Sequence, residues 1–356
     1  MGGGPPLVSD EHVEFRVSDP EDALEGVGLL QEVARPRHGL PFVRFPGTGE
    51  WRITIPRPPA DRMEYRYEIH HTSEETETIC DPFVEARAAG PFGDKSVLEF
   101  PGYQRPGWLD EEPAEGQVEE IQITCLSLQE EVGCLLWRSA GSSPRQALPL
   151  LVAHDGPEYA KYASLLEFLD AMVAAGRLPP MRAALLAPLD RTRDYAAWPV
   201  WAFALAQEIL PSLAKIAPSG RIPKVGMGAS LGALAMLHVH RSYPPSLGGL
   251  YLQSGSYFQP TLDVIESYRE LFVPVTRFVG RVLESPDFRR PIPVTMTAGT
   301  AEENLHNNRA MHAALLEQGY DVAWHEQRDA HNWVAWRDTW DPHLVDLLQR
   351  VWSPST

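Results

Sequence analysis

Residues 225–240 read Val225-Gly-Met-Gly-Ala-Ser230-Leu-Gly-Ala-Leu-Ala-Met-Leu-His-Val-His240, and the order of features along this stretch decides the fold. A short apolar run leads into Gly228-Ala229-Ser230-Leu231-Gly232, and an Ala/Leu-rich segment of helical character follows. G-x-S-x-G between a strand and a helix is a nucleophile elbow. The turn is tight and strained, so small residues two before and two after the serine let neighbouring backbone approach while the hydroxyl stays accessible. Ser230 also heads the helix, where free N–H groups and the positive end of the dipole favour developing negative charge. A glycine-rich helix start capped by serine would use the same letters, but the preceding strand favours the elbow.

Outward from this turn, strands and helices alternate from residue 117 onward. Strands are expected at Ile121–Leu126, Val132–Trp137, Leu148–Ala153, Ala183–Ala187, Val225–Met227, Gly249–Leu252, Val294–Thr297 and Val322–His325, with apolar-periodic helices between most of them. Such alternation implies a largely parallel sheet covered on both faces. The first two strands, joined at Gln129-Glu-Glu, suit an antiparallel hairpin. The fold class is α/β, a doubly wound, mostly parallel sheet of about eight strands, the α/β-hydrolase count.

Ahead of that region, Phe42-Val-Arg-Phe, Trp51-Arg-Ile-Thr-Ile and Met63-Glu-Tyr-Arg-Tyr-Glu-Ile alternate apolar with polar residues, the mark of half-buried antiparallel strands. A small β-sandwich follows, with a turn or two of helix expected near Asp22–Val33. The Pro/Gly/acid-rich segment from Pro101 to Gly116 reads as a linker. These signals divide the chain into a disordered tail over 1–10, a β-sandwich over 11–112 and a catalytic domain over 113–356, sizes ordinary for domains.

Composition excludes several function classes. The formal net charge is −17, from 48 acidic against 31 basic residues, so the summed field repels nucleic acids and anionic membranes. Cys80, Cys125 and Cys134 form no CxxC pair, which gives neither a zinc site nor a disulfide framework and suits a reduced cytoplasm. No signal peptide and no membrane-length apolar run is evident. No metal and no organic cofactor is implied, because no His/Asp/Cys cluster has ligand spacing; His70-His71 and His238-Val-His240 read as surface or helix residues.

A serine nucleophile of this type is followed in the chain by an acid and then by a histidine, each on a loop after a late strand. His331, in Asp329-Ala-His-Asn-Trp-Val-Ala-Trp-Arg, stands after the last strand and before the last helix. Of the histidines beyond Ser230, it alone occupies the place of the base. The acid belongs after Pro293-Val-Thr-Met-Thr-Ala-Gly299, where Glu302 and Glu303 are adjacent. On position alone either could accept the Nδ1–H of His331. Asp263 and Asp287, before the seventh strand, are the fallback acids.

Three blocks carry a specific resemblance: Ala229-Ser-Leu-Gly-Ala, Gln253-Ser-Gly-Ser-Tyr-Phe, and Gly299-Thr-Ala-Glu with Ala330-His-Asn-Trp-Val-Ala-Trp-Arg. Together they resemble the catalytic domain of the esterase family that contains the enterochelin esterases. Trp51-Arg-Ile-Thr-Ile-Pro, Tyr65-Arg-Tyr-Glu-Ile and Asp81-Pro82 are similar to the immunoglobulin-like early-set domain that precedes it. The resemblance implies that the acid stands three residues after the glycine, at Glu302. It also implies an oxyanion hole from the Leu231 N–H and from the loop Ala153-His-Asp-Gly-Pro-Glu-Tyr. Relatives commonly use the residue after the glycine of that loop, but here it is Pro157, which has no N–H, so Gly156 or Glu158 must substitute. Arg191-Thr-Arg-Asp194-Tyr195 is similar to a block bordering the active site. Arg191 could therefore bind a carboxylate, catecholate or polyol, or could pair with Asp194 to fix its loop. Tyr159 and Trp333 are the further substrate-contact candidates.

The implied activity is serine carboxylic-ester hydrolysis of a small-molecule ester, in the nearest named relatives the trilactone of a ferric siderophore. Acyl transfer, or hydrolysis of feruloyl or other acyl esters, would use the same triad. A different class, a carbohydrate-binding or scaffolding protein with a degenerate hydrolase domain, draws its support from Pro157.

Overall fold

The computed structural model describes residues 3–33 and 39–353. Two compact units result. The first comprises the described residues up to Gln104 together with Gly299–Glu302 and Gln327–Ala335; the second comprises Arg105–Ala298, Glu303–Glu326 and the described residues from Trp336 onward.

Among the described residues, ten strands build the first unit: β1 (Leu7–Val8), β2 (His12–Ser18), β3 (Leu24–Gln31), β4 (Leu40–Pro41), β5 (Val43–Phe45), β6 (Glu50–Pro56), β7 (Arg62–His71), β8 (Thr76–Ile79), β9 (Arg87–Ala88) and β10 (Lys95–Glu99). They form a four-stranded sheet, β1-β2-β6-β5, and a six-stranded sheet, β4-β3-β7-β10-β9 with β8 paired to β7. Alternation decides which residues meet between them. Val13, Phe15 and Val17 of β2 and Met63, Tyr65, Tyr67 and Ile69 of β7 share one buried core, and the Phe15 and Tyr65 rings meet edge-on at 5.0 Å. The two tyrosine hydroxyls, too deep for water, both donate to Asp81 Oδ2, at 2.7 and 2.9 Å.

Two expectations change here. Leu24–Gln31 is a strand, not a turn of helix: Val27 and Leu29 are buried, and the segment pairs with β7 from Leu24↔His71 to Gln31↔Tyr65. Pairing with a central strand outweighs a weak local preference. Leu7 and Val8, inside the stretch read as a tail, pair with Glu14 and Val13; Met1 and Gly2 lie outside the described residues.

The second unit is an α/β fold. Its strands are β11 (Gln117–Cys125), β12 (Glu130–Arg138), β13 (Leu150–His154), β14 (Arg182–Leu186), β15 (Val225–Ala229), β16 (Gly249–Gln253), β17 (Val294–Gly299) and β18 (Val322–Gln327). Its α-helices are α1 (Gly156–Ala163), α2 (Leu165–Ala174), α3 (Arg191–Asp194), α4 (Pro199–Phe203), α5 (Leu210–Ile216), α6 (Leu231–Ser242), α7 (Phe272–Leu283), α8 (Leu305–Glu317) and α10 (Trp340–Trp352), and α9 (Trp333–Arg337) begins in the first unit. The eight strands run in the order β11-β12-β14-β13-β15-β16-β17-β18, one for each strand expected from the sequence. β11 and β12 form the antiparallel hairpin, β12 meets β14 antiparallel, and the ladders from β14 through β13, β15 and β16 to β17 are parallel.

Every residue of β13, β14, β15, β16 and β17 is buried, as expected of strands covered on both faces. Candidate residues follow the carboxyl ends of these strands: Asp155-Gly156 after β13, Ser230 after β15, Ser254–Ser256 after β16, and Glu302 after β17. In open α/β sheets that edge is where ligands bind.

Candidate active site

In the α/β unit, Ser230 joins β15 to α6 with φ 56° and ψ −122°. A non-glycine residue in such a conformation costs on the order of 1–3 kcal/mol and persists only where its surroundings enforce it. Here backbone bonds enforce it. Ser230 N–H donates to Gln253 O (2.9 Å), and Ser230 O accepts from Ser256 N–H (3.1 Å) and Leu234 N–H (3.2 Å). Glycine at 228 is obligatory, since a Cβ there would lie 2.5 Å from the Gly232 carbonyl. Ser230 Oγ lies 3.0 Å from Ser256 Oγ. The loop carrying Ser256 is fixed in turn by Asn308, whose side chain accepts from Gly255 N–H (2.9 Å) and donates to Gly255 O (3.0 Å).

The turn after β13 abuts the head of α6. His154 is fully buried, and burial pushes its imidazole down to about 3, so it is neutral. Trp201 Nε1–H donates to His154 Nε2 at 3.1 Å. The proton of the neutral ring therefore sits on Nδ1, which donates to Gly232 O at 3.1 Å. Gly156 opens α1 as Leu231 opens α6, and the first N–H groups of a helix have no intrahelical partner. A Cβ at Gly156 would lie 2.2 Å from Leu185 Cα, so only glycine lets the turn pack this closely on β14.

In the first unit, His331 and Glu302 meet. His331 Nδ1 lies 3.0 Å from Glu302 Oε2, and Glu302 Oε1 accepts from Gly299 N–H at 2.6 Å. The Glu302 side chain is fully buried and the His331 ring one-fifth exposed. The carboxylate on the histidine is thus Glu302, and Glu303 is half-buried beside it.

No family model matches the sequence. Among curated proteins, the iron(III) enterobactin esterase of Dickeya dadantii is 30% identical over 197 residues, 53% of this chain and 45% of that protein. The match therefore spans under half the length of that relative. The iron(III) enterobactin esterase of Escherichia coli K12 is 26% identical over 305 residues, 83% of this chain and 73% of its own. Among solved structures, the Shigella flexneri enterobactin esterase crystallised in the presence of enterobactin superposes with a TM-score of 0.77 over 97% of this chain and 95% of that one, at 21% identity. A ferulic acid esterase superposes at 0.56 over 66% of this chain and 98% of its own, at 15% identity.

This chain is similar to the enterobactin esterases.

The structure changes several of the expectations from sequence. Arg191 does not pair with Asp194: it forms a bidentate ion pair with the buried Asp155, two bonds of 2.8 Å. Asp194 instead accepts from the N–H groups of Leu189 and Asp190 and from Arg193. Tyr159 is no substrate contact here, because it is fully buried and its hydroxyl donates to Gln253 Oε1 at 2.8 Å. Trp333 is half-buried at the start of α9. Asp263 is committed elsewhere, accepting from Gln259 N–H and the Asn307 side chain.

Two residues escaped the sequence reading: Ser256, and Arg62, whose guanidinium bonds Asp329 and Asn332 on either side of His331. Ser256 stands in Gln253-Ser-Gly-Ser-Tyr-Phe, where no local pattern sets it apart from Ser254. Nothing local marks Arg62. Among the described residues, no helix is long and apolar enough to cross a membrane.

Proposed function

We propose that this chain is a serine carboxylic-ester hydrolase with Ser230 as nucleophile, His331 as base and Glu302 as the acid that orients it, acting on a siderophore ester of the enterobactin type. The observation that carries the reading is the strained conformation of Ser230 between β15 and α6; nothing in packing alone calls for a serine held at positive φ there. The strand order and the Ser…Glu…His chain order support the α/β-hydrolase assignment, and the relatives' names supply the substrate class. We read the two-sheet N-terminal unit as immunoglobulin-like on its antiparallel sheets and shared core. Three free cysteines agree with a reducing compartment.

The chemistry follows from these roles. Ser230 Oγ attacks the ester carbonyl carbon as its proton passes to His331, engaged with Glu302 through Nδ1 so that Nε2 takes the proton. The Leu231 and Gly156 N–H groups receive the oxyanion, replacing the donor that Pro157 lacks. Collapse expels the alkoxide with the proton from His331, and water then releases the acyl group from Ser230 by the same steps in reverse. A fluorophosphonate probe tests the assignment. Ser230 should be labelled, and Ser230→Ala should abolish both labelling and hydrolysis of ferric enterobactin to linear products seen by mass spectrometry. Wild-type protein that neither labels nor hydrolyses would defeat the reading.

A further inference from the structure

We propose that Arg62, on the N-terminal six-stranded sheet, is a positioning residue for His331. The inference rests on the reading of His331 as the base.

Arg62 opens β7, the strand between β3 and β10, and is 1% exposed. Its Nη1 donates to Asp329 Oδ2 (3.2 Å) and Asn332 Oδ1 (3.0 Å), and its Nη2 donates to Glu64 Oε1 (2.6 Å). Asp329 and Asn332 bracket the histidine, two residues before and one residue after it. Asp329 in turn accepts from Ala330 N–H (2.7 Å) and from Asn332 Nδ2 (3.2 Å), while Asn332 Oδ1 also accepts from Ala335 N–H (2.8 Å), capping α9. The residues next to Arg62 tie down the same loop: Asp61 N–H donates to Arg328 O (2.6 Å), and Arg328 Nε donates to Asp61 Oδ1 (2.8 Å).

The acid's loop is tied to the same strands. Thr300 Oγ1 donates to Pro59 O (2.6 Å), and Ala301 N–H donates to Asp329 O (3.1 Å). Ala330 is itself part of the N-terminal core. Both partners of the His331–Glu302 bond thus hang from the N-terminal sheets.

A buried ion pair of this kind is weak evidence for stability, since apolar residues of similar volume often serve as well. What a guanidinium adds is direction: a rigid fork satisfies three acceptors at fixed angles, which an ammonium on a flexible stem does not. The bracketed residue is the one whose ring must be aimed, and a displacement of about 1 Å in a catalytic group can cost about a hundredfold in rate.

Arg62→Ala would leave the buried Asp329 carboxylate without its cation, while Glu64 keeps Lys95 Nζ at 3.3 Å, and is expected to unfold the unit. The informative variants are Arg62→Lys, and the triple Arg62→Met/Glu64→Gln/Asp329→Asn, which removes the arginine and its two carboxylate partners together and leaves Lys95 paired with Glu32. Active sites are titrated with a fluorophosphonate, and kcat per titrated site and KM are measured on a p-nitrophenyl ester. The hydrogen-bonded Nδ1 proton of His331 is followed by NMR. Expected are a kcat per site lower by about 10- to 100-fold, a KM within twofold, and a shifted or broadened proton resonance, with Lys less impaired than the triple variant. Wild-type kcat per site and an unchanged resonance, with His331→Ala inactive, would overturn the inference. So would losses that vanish on normalising to titrated sites. An active His331→Ala protein would instead refute the base assignment.

Discussion

Ser230 is held by backbone contacts from residues 228 to 256, whereas the loop carrying His331 is held by Arg62, which lies 267 positions before Asp329. At Ser230 the means are backbone ones: a positive φ, glycine clearance at 228, and N–H···O bonds to Gln253 and from Ser256. At the histidine they are side-chain charges and amides gathered from the far end of the sequence. The turn itself, its positive φ and its glycine clearance, must be spelled in neighbouring residues, because residue type at each step sets what φ and ψ tolerate. A side-chain brace needs only that its two ends meet after folding.

The largest expected effect tests the histidine half. Glu302 touches His331, so Glu302→Gln should lower turnover on the order of 10³–10⁴-fold, by analogy with other triads in which the acid fixes tautomer and charge. Glu303→Gln should stay within about twofold, with similar melting temperatures for both proteins. Steady-state kinetics of the pair decides it. The reverse ranking would transfer the acid's role to Glu303, and equal mild losses would show that the histidine is not oriented by either carboxylate.

The second effect tests the Ser230 half. Ser256 Oγ lies 3.0 Å from Ser230 Oγ on a loop pinned by Asn308. Removing one hydrogen bond of net worth about 0.5–1.5 kcal/mol should slow acylation about 2- to 10-fold. Burst kinetics of Ser256→Ala should show that loss with the Arg62-dependent proton resonance of His331 unmoved. A loss of a thousandfold would mean that Ser256 does more than hold the hydroxyl, and the nucleophile would then depend on side chains as heavily as the base does.

Legibility followed the same division. All eight strands of the α/β sheet and the elbow stood in the sequence, because buried parallel strands are continuous apolar runs and the elbow is a local pattern. Leu24–Gln31 was misread because its strand character comes from pairing with β7, not from its own residues. Arg62 and Glu64 were invisible for a related reason. In Arg62-Met-Glu-Tyr, period-2 alternation puts the charged residues opposite Met63 and Tyr65, and an isolated sheet would leave that side in water. Alternation says which side a residue takes and nothing of what covers it, and here both are buried. Tyr159 failed differently: an aromatic beside the oxyanion loop reads equally as a contact or as core, and its hydroxyl found Gln253.

The smallest effect separates the two halves by pH. Burial raises the Asp329 carboxyl to about 6; the Arg62 guanidinium and the Ala330 N–H offset this only in part, and Glu64 adds to it. An acid whose folded pKa lies above its unfolded value of about 3.9 binds more protons in the native state across that interval. Stability therefore falls as pH rises from about 4 to 6, by on the order of 3 kcal/mol for this group, and is level with respect to it above that. Asp329→Asn removes the term. Urea unfolding of both proteins from pH 4 to 8 should show the difference, wild type minus variant, declining through pH 4–6 and then flat. No such slope is expected from Ser256→Ala, whose bonds carry no titrating group. A difference that rises with pH would mean that Arg62 outweighs burial and holds the carboxyl below its ordinary value. In that case the brace on His331 would strengthen toward neutrality, and the histidine loop would be held tighter by charge than its burial implies.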